Sequence, residues 1–285
     1  MGIVTKIEWA DSTVNPSENC DGCELWNAKA GVRKCYAGKM VERWKGVGTF
    51  DLPVVLKPGR MAQTVKWPDL TNTDRPDKPW MNGLPRVIFV GDMADIFSQG
   101  VPFSFLSQEV ISTAYSAPRH LYLMLTKQAK RMEEFVAWYL AGAFHGWPEN
   151  LWLGVSVTSQ ATTSRLASLT NIRQRIRSRS ATSPKFFVSY GPALERVNFV
   201  GYGSSMDWMV IEGESGSSQP AILETETVRE TIEWCRNNEI APFVKQMGSA
   251  WAKKYGFSHF KGGDPKSWPD DIHVREMPML KNQYT

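Results

Sequence analysis

The stretch RVIFVGDMADIF, residues 86–97, joins a run of apolar residues to a polar turn. The run is rich in β-branched residues, it ends at Gly91, and two carboxylates, Asp92 and Asp95, follow. An apolar run without polar alternation is typical of a strand that is covered on both faces, as in parallel sheets. Functional side chains in parallel α/β folds gather at the carboxyl ends of the strands. The stretch therefore predicts a buried parallel strand that carries two carboxylates to a functional edge.

The same pattern recurs towards the C-terminus at intervals of about thirty residues. The further apolar runs are LYLML (121–125), LWLGVSV (151–157), KFFVS (185–189), DWMVI (207–211) and APFVK (241–245). The segments between them have apolar residues spaced by three and four, which is the periodicity of amphipathic helices. Alternating strands and helices at this interval predict a parallel sheet.

These units, with a strand or two expected before residue 86, predict one α/β domain over residues 1–285. Its expected architecture is a complete or partial (β/α) barrel, and a doubly wound open sheet is the alternative. Residues 51–83 are rich in proline and predict an irregular excursion over the active face. Residues 250–285 are expected to form a C-terminal extension that caps the mouth or the bottom of the barrel.

Polar side chains follow every one of the predicted strands. Besides Asp92 and Asp95 they are Lys127, Ser156, Thr158, Ser189, Glu212, Glu214 and Lys245. Any single one of them is explained equally well as a helix cap or a turn residue. Their recurrence at equivalent positions predicts an enzyme, with Glu212, Glu214 and Lys245 as candidates for substrate binding or proton transfer. The others are candidate cofactor ligands.

The loop NPSENCDGCELWNAKAGVRKCYAGKM, residues 15–40, holds three of the four cysteines, Cys20, Cys23 and Cys35. A structural zinc site normally has four protein ligands. The fourth cysteine, Cys235, lies in the helical stretch TIEWCRNNEI and is expected to be a buried free thiol. A [4Fe-4S] cluster usually binds four cysteine thiolates, one on each iron. Three thiolates therefore suit a cluster in which one iron has no protein ligand. A zinc site that uses the thiols structurally is the alternative.

Taken in order, several segments resemble a family of phage and bacterial proteins known as three-Cys-motif proteins or phage proteins of unknown function. That family is related to the radical S-adenosylmethionine (radical SAM) superfamily. The matching segments are TKIEWADSTVNP, Cys20, CYAGKM around Cys35, VGDMADIF, LMLTKQAKRM, LWLGVSV, DWMVIEGESG, PFVKQMG and KGGDPKSWPDDIHVREMP. The resemblance implies a barrel of the radical SAM type with an N-terminal cluster-binding loop. It also implies S-adenosylmethionine as a cofactor, a reductant protein as electron donor, and hydrogen abstraction by a 5′-deoxyadenosyl radical.

The resemblance assigns roles to the polar residues of the strand ends. It implies that Asp92 and Asp95 bind the methionine ammonium or the ribose, and that Ser156 and Thr158 reach the ribose hydroxyls. Lys127 and Lys245 are expected to bind the cofactor carboxylate or a substrate phosphate. Two departures stand out: eleven residues separate Cys23 from Cys35, and Ser189-Tyr190-Gly191-Pro192 replaces a turn of the Ser-Ala-Glu-Pro kind.

Charge and hydropathy limit the kinds of partner and the location expected for this protein. The net charge of +4 permits a nucleic-acid partner, and arginines alternate in NIRQRIRSRS, from Arg173 to Arg179. With the phage association, this predicts modification or rearrangement of a DNA base or nucleotide. No apolar run is long enough to span a membrane and no signal peptide is evident, which predicts a cytoplasmic protein, in the host cell if it is phage-encoded. The alternatives are a zinc-binding nucleic-acid protein or hydrolase and a non-catalytic iron–sulfur protein.

Overall fold

The computed structural model describes residues 2–27, 30–46, 52–142, 146–180 and 182–278. The strands are β1 (Ser12–Val14), β2 (Ser17–Glu18), β3 (Trp26–Asn27), β4 (Val32–Arg33), β5 (Val55–Leu56), β6 (Arg86–Val90), β7 (His120–Thr126), β8 (Leu151–Val157), β9 (Phe186–Ala193), β10 (Trp208–Gly213) and β11 (Ala241–Gln246). The α-helices are α1 (Tyr36–Lys45), α2 (Phe103–Leu106), α3 (Ser112–Ser116), α4 (Ala129–Gly142), α5 (Ser164–Arg177), α6 (Thr225–Asn237) and α7 (Ser249–Lys254). A π-helical turn (Ser107–Ile111) joins α2 to α3, and short 3₁₀ helices span Met61–Lys66, Pro79–Met81, Gln160–Thr163, Gly203–Ser205, Pro265–Ser267 and Asp270–Ile272.

Seven strands form one parallel sheet in the order β1-β6-β7-β8-β9-β10-β11. Every neighbouring pair in this sheet is parallel. Strands that follow one another in sequence also lie side by side, so the sheet has no reversal of strand order of the kind that defines a doubly wound fold. Strands β1 and β11 are the two edges. The described chain is therefore an α/β half-barrel, which confirms a partial barrel and excludes the doubly wound alternative.

The six apolar runs of the sequence all become strands of this sheet. RVIFV and LWLGVSV match β6 and β8 residue for residue, and the other four runs differ from their strands by a few residues at the ends. The additional strand expected before residue 86 is β1, which pairs with β6. Helices α4 and α6 and the helical segment from α2 to α3 occupy the stretches whose apolar spacing indicated helices.

The two faces of the sheet pack into two separate apolar clusters because side chains alternate along each strand. The outer cluster buries residues such as Ile88, Tyr122 and Met124 against the helices. The inner cluster consists of Trp9, Ala10, Met81, Leu84, Val87, Phe89, Leu121, Leu123, Trp152, Phe187, Trp208, Val210 and Phe243. Trp208 is central in it, with ring centroids 5.5 Å from Phe187 and 5.9 Å from Phe243. Aromatic side chains therefore fill the inside of the half-barrel near the amino ends of the strands.

Residues 52–83 mostly lie away from the functional edge, so their expected position over the active face is wrong for most of the segment. Only β5 lies there, paired with β2. Further on, the Thr64 hydroxyl is 2.8 Å from the phenol oxygen of Tyr122, near the start of β7. Trp80 then packs on Phe243, with 5.9 Å between the ring centroids. The segment closes the inner face because it supplies the apolar side chains that the open half-barrel lacks there.

The C-terminal extension covers the β11 edge of the sheet. Val244 N–H donates to the carbonyl of Val274 at 2.7 Å, and Glu276 N–H donates to that of Pro242 at 3.0 Å. The guanidinium of Arg275 lies 4.4 Å from the ring centroid of Trp80. An uncovered edge strand would expose a row of unpaired backbone groups, so this segment protects the sheet. Among the residues described, no helix is both long and apolar enough to cross a membrane.

The arginines of NIRQRIRSRS lie at the end of the sheet away from the functional edge. They occupy the last turns of α5 and the residues after it, and the chain then enters the amino end of β9. Arg173 is buried and donates to both carboxylate oxygens of Asp207, at 2.9 and 3.1 Å. Arg173 therefore anchors α5 to the sheet, and the strip is not placed to hold a substrate at the carboxyl ends of the strands.

Candidate functional site

The inner face changes from aromatic to polar towards the carboxyl ends of the strands. Every second residue of a strand points to the same face. On this face Phe187 is followed by Ser189, Val210 by Glu212, Phe243 by Lys245, and Trp152, through Gly154, by Ser156. The sequence-predicted residues of four neighbouring strands therefore lie in one layer above the aromatic floor.

Glu212 and Lys245 form an ion pair in this layer, between the Oε2 atom of the carboxylate and the Nζ atom of the lysine. Ser189 Oγ lies 3.5 Å from the other carboxylate oxygen. Burial would lower the pKa of Lys245, but the charge and hydrogen bond of Glu212, together with the charge of Glu8, outweigh burial and raise that pKa. Gly191 makes room for the pair, because a Cβ atom there would lie 2.1 Å from Cγ of Glu212. The arrangement keeps a lysine cation and a carboxylate side by side in a partly closed site.

Lys127 belongs to the same layer. Its Nζ donates to Ser156 Oγ at 3.1 Å, so the ends of β7 and β8 are joined through two of the candidate cofactor ligands. Asp95 stands behind it and accepts from the Thr126 hydroxyl at 2.7 and 2.8 Å and from Lys127 N–H at 2.9 Å. A further bond from Phe97 N–H at 3.0 Å leaves Asp95 engaged on both oxygens. In this structure Asp95 shapes the turn that presents Lys127.

Asp92 lies at the β1 end of the edge. Its Oδ1 accepts from Asn15 Nδ2 at 2.6 Å, and Asn15 Oδ1 accepts from Met93 N–H at 3.0 Å. Burial raises the pKa of the Asp92 carboxyl, although the bond from Asn15 opposes the shift. Asn15 is a site residue that sequence reasoning missed, because an asparagine before a proline is an ordinary turn signal.

The three cysteines lie at the same edge, and none of them forms a disulfide. Burial raises the pKa of the Cys20 thiol, and the charges of Asp95 and Cys35 contribute to the rise. Burial also raises the pKa of Cys23, where the positive charge of Lys127 acts in the opposite direction and that of Cys35 in the same direction. Cys35 is therefore near both of the other thiols, and Lys127 and Asp95 are near the loop. Cys235, in contrast, is buried on α6 with its sulfur 3.7 Å from that of Met209, as expected.

The insert between Cys23 and Cys35 contains a small antiparallel hairpin, β3 with β4, and residues on either side of the hairpin fasten the cysteine loop to the barrel. Before the hairpin, Glu24 accepts from Arg165 on α5 at 2.6 and 3.0 Å. Glu24 also accepts from the Thr158 hydroxyl at 2.9 Å, so this candidate cofactor ligand is engaged in holding the loop. After the hairpin, Lys34 Nζ lies 3.2 Å from Glu214 Oε2. The loop therefore reaches from the end of β8 to the end of β10.

Glu214 is the most deeply buried of the candidate catalytic residues, with 2% of its surface exposed. One carboxylate oxygen accepts from Lys34 and from Ala221 N–H, the latter at 2.7 Å. Within the described ranges the other oxygen, Oε1, has no hydrogen-bond partner. A buried carboxylate oxygen without a donor is costly, so the hydrogen bonding of Glu214 is incomplete among the described residues.

The Glu24–Arg165 pair predicts a pH-dependent stability. Burial alone would raise the pKa of Glu24, but the bonds and charge of Arg165 hold it at about 2, below the ordinary value of 4.5. A depressed carboxyl pKa stabilises the folded state above the unfolded value, so this contribution is complete above pH 4.5 and is lost as the pH falls towards 2. We expect Arg165→Met to lower the free energy of unfolding by about 1.5–3 kcal/mol at pH 7.

Urea denaturation at pH 7 and at pH 3 measures this contribution. The difference between wild type and Arg165→Met should be smaller at pH 3, because Glu24 is then largely protonated in the unfolded chain. Arg196→Met is the matched control, since Arg196 pairs with Glu230 on the surface, where such pairs contribute less than about 1 kcal/mol. A difference for Arg165→Met that does not change with pH would contradict the role of Glu24.

The donor set of the loop fits an iron–sulfur cluster with three protein ligands. Three thiols lie in one loop at this polar edge, and Gly38 N–H donates to Cys35 Sγ at 3.5 Å, a type of bond that tunes cluster sulfurs. Within the described ranges no three His, Cys, Asp or Glu side chains form a group that could hold a metal ion. That finding concerns a single ion. In a four-iron cluster each thiolate binds a different iron, so the sulfurs stand farther apart than the ligands of one ion.

Comparisons with known proteins give a family without a described activity. A model of the family described as "Protein of unknown function (DUF5131)" matches residues 4–278. No curated protein and no solved structure matches the chain. Because the match extends over nearly the whole sequence, including the cysteine loop, all seven strands of the sheet and the C-terminal segment, the chain belongs to this family of unknown function.

Proposed function

We propose that the protein is an iron–sulfur enzyme of the radical SAM type that acts on a nucleobase, in a nucleotide or in DNA. One observation carries the proposal. The N-terminal loop that carries three cysteines is held at the polar carboxyl edge of a parallel half-barrel, by Glu24 at Thr158 and by Lys34 at Glu214. When bound, a [4Fe-4S] cluster supplies one electron that cleaves S-adenosylmethionine, and the resulting radical abstracts hydrogen from the substrate.

We assign two roles, cofactor binding and substrate binding, to two parts of the edge. Cys20, Cys23 and Cys35 would hold the cluster. Asp92, Lys127 and Ser156 lie at the same edge of the sheet and offer an anion, a cation and a hydroxyl for the polar groups of S-adenosylmethionine. Asp95 and Thr158 act through their neighbours, since Asp95 positions Lys127 and Thr158 holds Glu24.

The second part of the edge is proposed for the substrate. Glu212, Lys245 and Ser189 form a hydrogen-bonded group on the inner face, and Glu214 offers a buried oxygen without a donor among the described residues. A lysine and a carboxylate side by side can bind the polar edge of a base and can exchange a proton with it. The aromatic floor beneath them excludes water from this end of the site.

Anaerobic purification tests the proposal. We expect a brown protein with about four iron and four sulfide per chain. With S-adenosylmethionine and a chemical or protein reductant it should release 5′-deoxyadenosine. A colourless protein that holds one equivalent of zinc would overturn the proposal. A brown protein that never cleaves S-adenosylmethionine would leave an iron–sulfur protein without this chemistry.

Glu212→Gln tests the substrate part of the edge separately. The variant keeps the size of the side chain but removes the charge that Lys245 faces, so we expect substrate turnover to fall by about 10²-fold. Cluster content and the slow cleavage of S-adenosylmethionine without substrate should not change. The measurement is nucleoside analysis by mass spectrometry after incubation with a single-stranded oligodeoxynucleotide. Glu224→Gln, in a surface pair with Lys254, is the matched control.

A further inference from the structure

One face of α1 carries aromatic and basic side chains at helical spacing. Tyr36, Lys39, Met40, Arg43 and Trp44 follow one another at the three- and four-residue intervals that place side chains on one side of a helix. We call these five residues the α1 face. The opposite side of the helix is buried, because Ala37 and Gly38 pack inward and a Cβ on Gly38 would lie 2.4 Å from the Trp26 ring.

The two aromatic residues of the α1 face are unusually accessible. Tyr36 is 62% exposed and Trp44 is 65% exposed, whereas most of the aromatic side chains of this protein are buried in its two clusters. Tyr36 and Trp44 are eight positions apart in the helix, which is about 12 Å along the axis of an α-helix. They are therefore far enough apart to stack on two separate flat groups, such as two bases of one nucleic-acid strand.

The charge of this segment points to an anionic partner. Residues 25–46 contain six lysine and arginine residues and a single glutamate, a balance of +5, whereas the whole chain carries +4. Arg33 is neutralised by that glutamate, Glu42, and Lys39 Nζ donates to the Gly216 carbonyl at 2.6 Å. In the part of the chain that the structure describes, Arg43 is exposed and has no ion-pair partner. Its guanidinium is available to a phosphate.

We propose that the α1 face binds single-stranded nucleic acid, with bases stacked on Tyr36 and Trp44 and a phosphate on Arg43. Stacking on aromatic side chains together with a basic surface along the backbone is how proteins bind single strands without sequence preference. An acidic protein would satisfy the charge but not two isolated, solvent-exposed rings. The inference rests on the proposed function, because it identifies the single-stranded nucleic acid as the molecule that contains the substrate base. The binding itself needs no cluster.

The position of the α1 face agrees with delivery of a base to the site. Helix α1 begins directly after Cys35, and Lys39 joins it to Gly216, just beyond Glu214. A nucleic-acid strand bound to the α1 face would therefore pass beside the cysteine loop and the end of β10. A base of that strand can be turned into the polar layer, as enzymes that modify bases require. The exposed arginines at the end of α5 and just after it, at the other end of the sheet, have no such neighbours.

Fluorescence anisotropy with labelled oligodeoxynucleotides of equal length tests the inference on the purified full chain. The probes are a mixed-sequence single strand, an abasic strand of the same charge, and the duplex. We expect the single strand to bind about tenfold or more tightly than the abasic strand. Trp44→Ala and Tyr36→Ala should each weaken binding of the single strand about tenfold and leave the abasic strand unchanged. Arg43→Gln should weaken both and reduce the salt slope by about 0.7.

Matched variants and a second readout make every outcome decisive. Trp138→Ala removes an exposed tryptophan from α4, and Arg175→Gln removes an exposed arginine from α5, so neither should change binding. Circular dichroism establishes that each variant is folded. Equal binding of abasic and intact strands, equal effects of Trp44→Ala and Trp138→Ala, or no binding at all would each overturn the inference. Cleavage of S-adenosylmethionine is measured separately, so strand binding without it would overturn only the enzymatic proposal.

Discussion

Replacing Cys20, Cys23 or Cys35 by alanine is expected to lower the iron content to less than about a tenth of the wild-type value. Loss of a group that merely orients a metal ligand already costs 10–100-fold in metal affinity, and these changes would remove a ligand of the proposed cluster. No other thiol can replace it, because Cys235 is buried on α6 in contact with Met209. The visible absorption of the cluster and the formation of 5′-deoxyadenosine should disappear together.

Cys235→Ala is the matched control for these variants. It removes the fourth thiol from a fully buried position, so it should cost a little stability and leave iron content unchanged. Iron, sulfide and zinc are measured on proteins purified anaerobically side by side. If any one of the three loop variants kept a full complement of iron, that cysteine would not be a ligand. If Cys235→Ala lost the cluster, the assignment of ligands to the loop would be wrong.

Much of the fold was predictable because local signals agreed with the tertiary structure. Apolar runs such as LWLGVSV, residues 151–157, allow few alternatives to a strand covered on both faces. Sequential strands separated by helices lie side by side in a parallel sheet, so strand order also followed from the sequence. The number of strands and the failure of the sheet to close did not follow, because β1 is only three residues long.

The polar layer was predictable for the same reason, since strand ends meet at one edge. What the sequence did not show was the pairing of residues that lie far apart in the chain. Glu24 and Arg165 are 141 residues apart, and neither lies in a motif. Conversely, the arginine alternation of residues 173–179 looked like a phosphate-binding strip, but helical periodicity buries Arg173 and the topology places the rest at the wrong end. Contacts of this kind depend on the assembled fold.

The excursion of residues 52–83 shows why long-range polar anchors escape sequence reasoning. Its proline-rich composition indicated an irregular segment, and the position expected for it, over the active face, was wrong for most of its length. Arg75 decides where the segment packs. The residue is 7% exposed and binds both carboxylate oxygens of Asp11, at 2.9 and 3.2 Å. It also donates to the carbonyls of Met81, Leu84 and Pro85, at 2.8, 2.9 and 3.1 Å.

Arg75→Met is therefore expected to lower the free energy of unfolding by about 3–5 kcal/mol, because it leaves Asp11 as a buried charge without a cation. Three carbonyl groups lose their donor as well, and the segment that closes the inner face loses its attachment. Urea denaturation at pH 7 measures the effect. Arg177→Met, at an exposed position on α5, should change stability by less than about 0.5 kcal/mol.

A double variant separates the buried charge from the lost packing. Asp11→Asn alone should lower the stability of the fold, because Arg75 then faces no carboxylate. Val87 N–H, which donates to Asp11 Oδ2 at 2.8 Å, can still donate to the amide oxygen of the variant. Added to Arg75→Met, the same change should recover part of the lost stability, because the stranded charge disappears. Purely additive losses would mean that Arg75 acts through its packing and its carbonyl bonds alone. The sign of this coupling thus decides whether an ion pair of the excursion holds the floor of the proposed site in place.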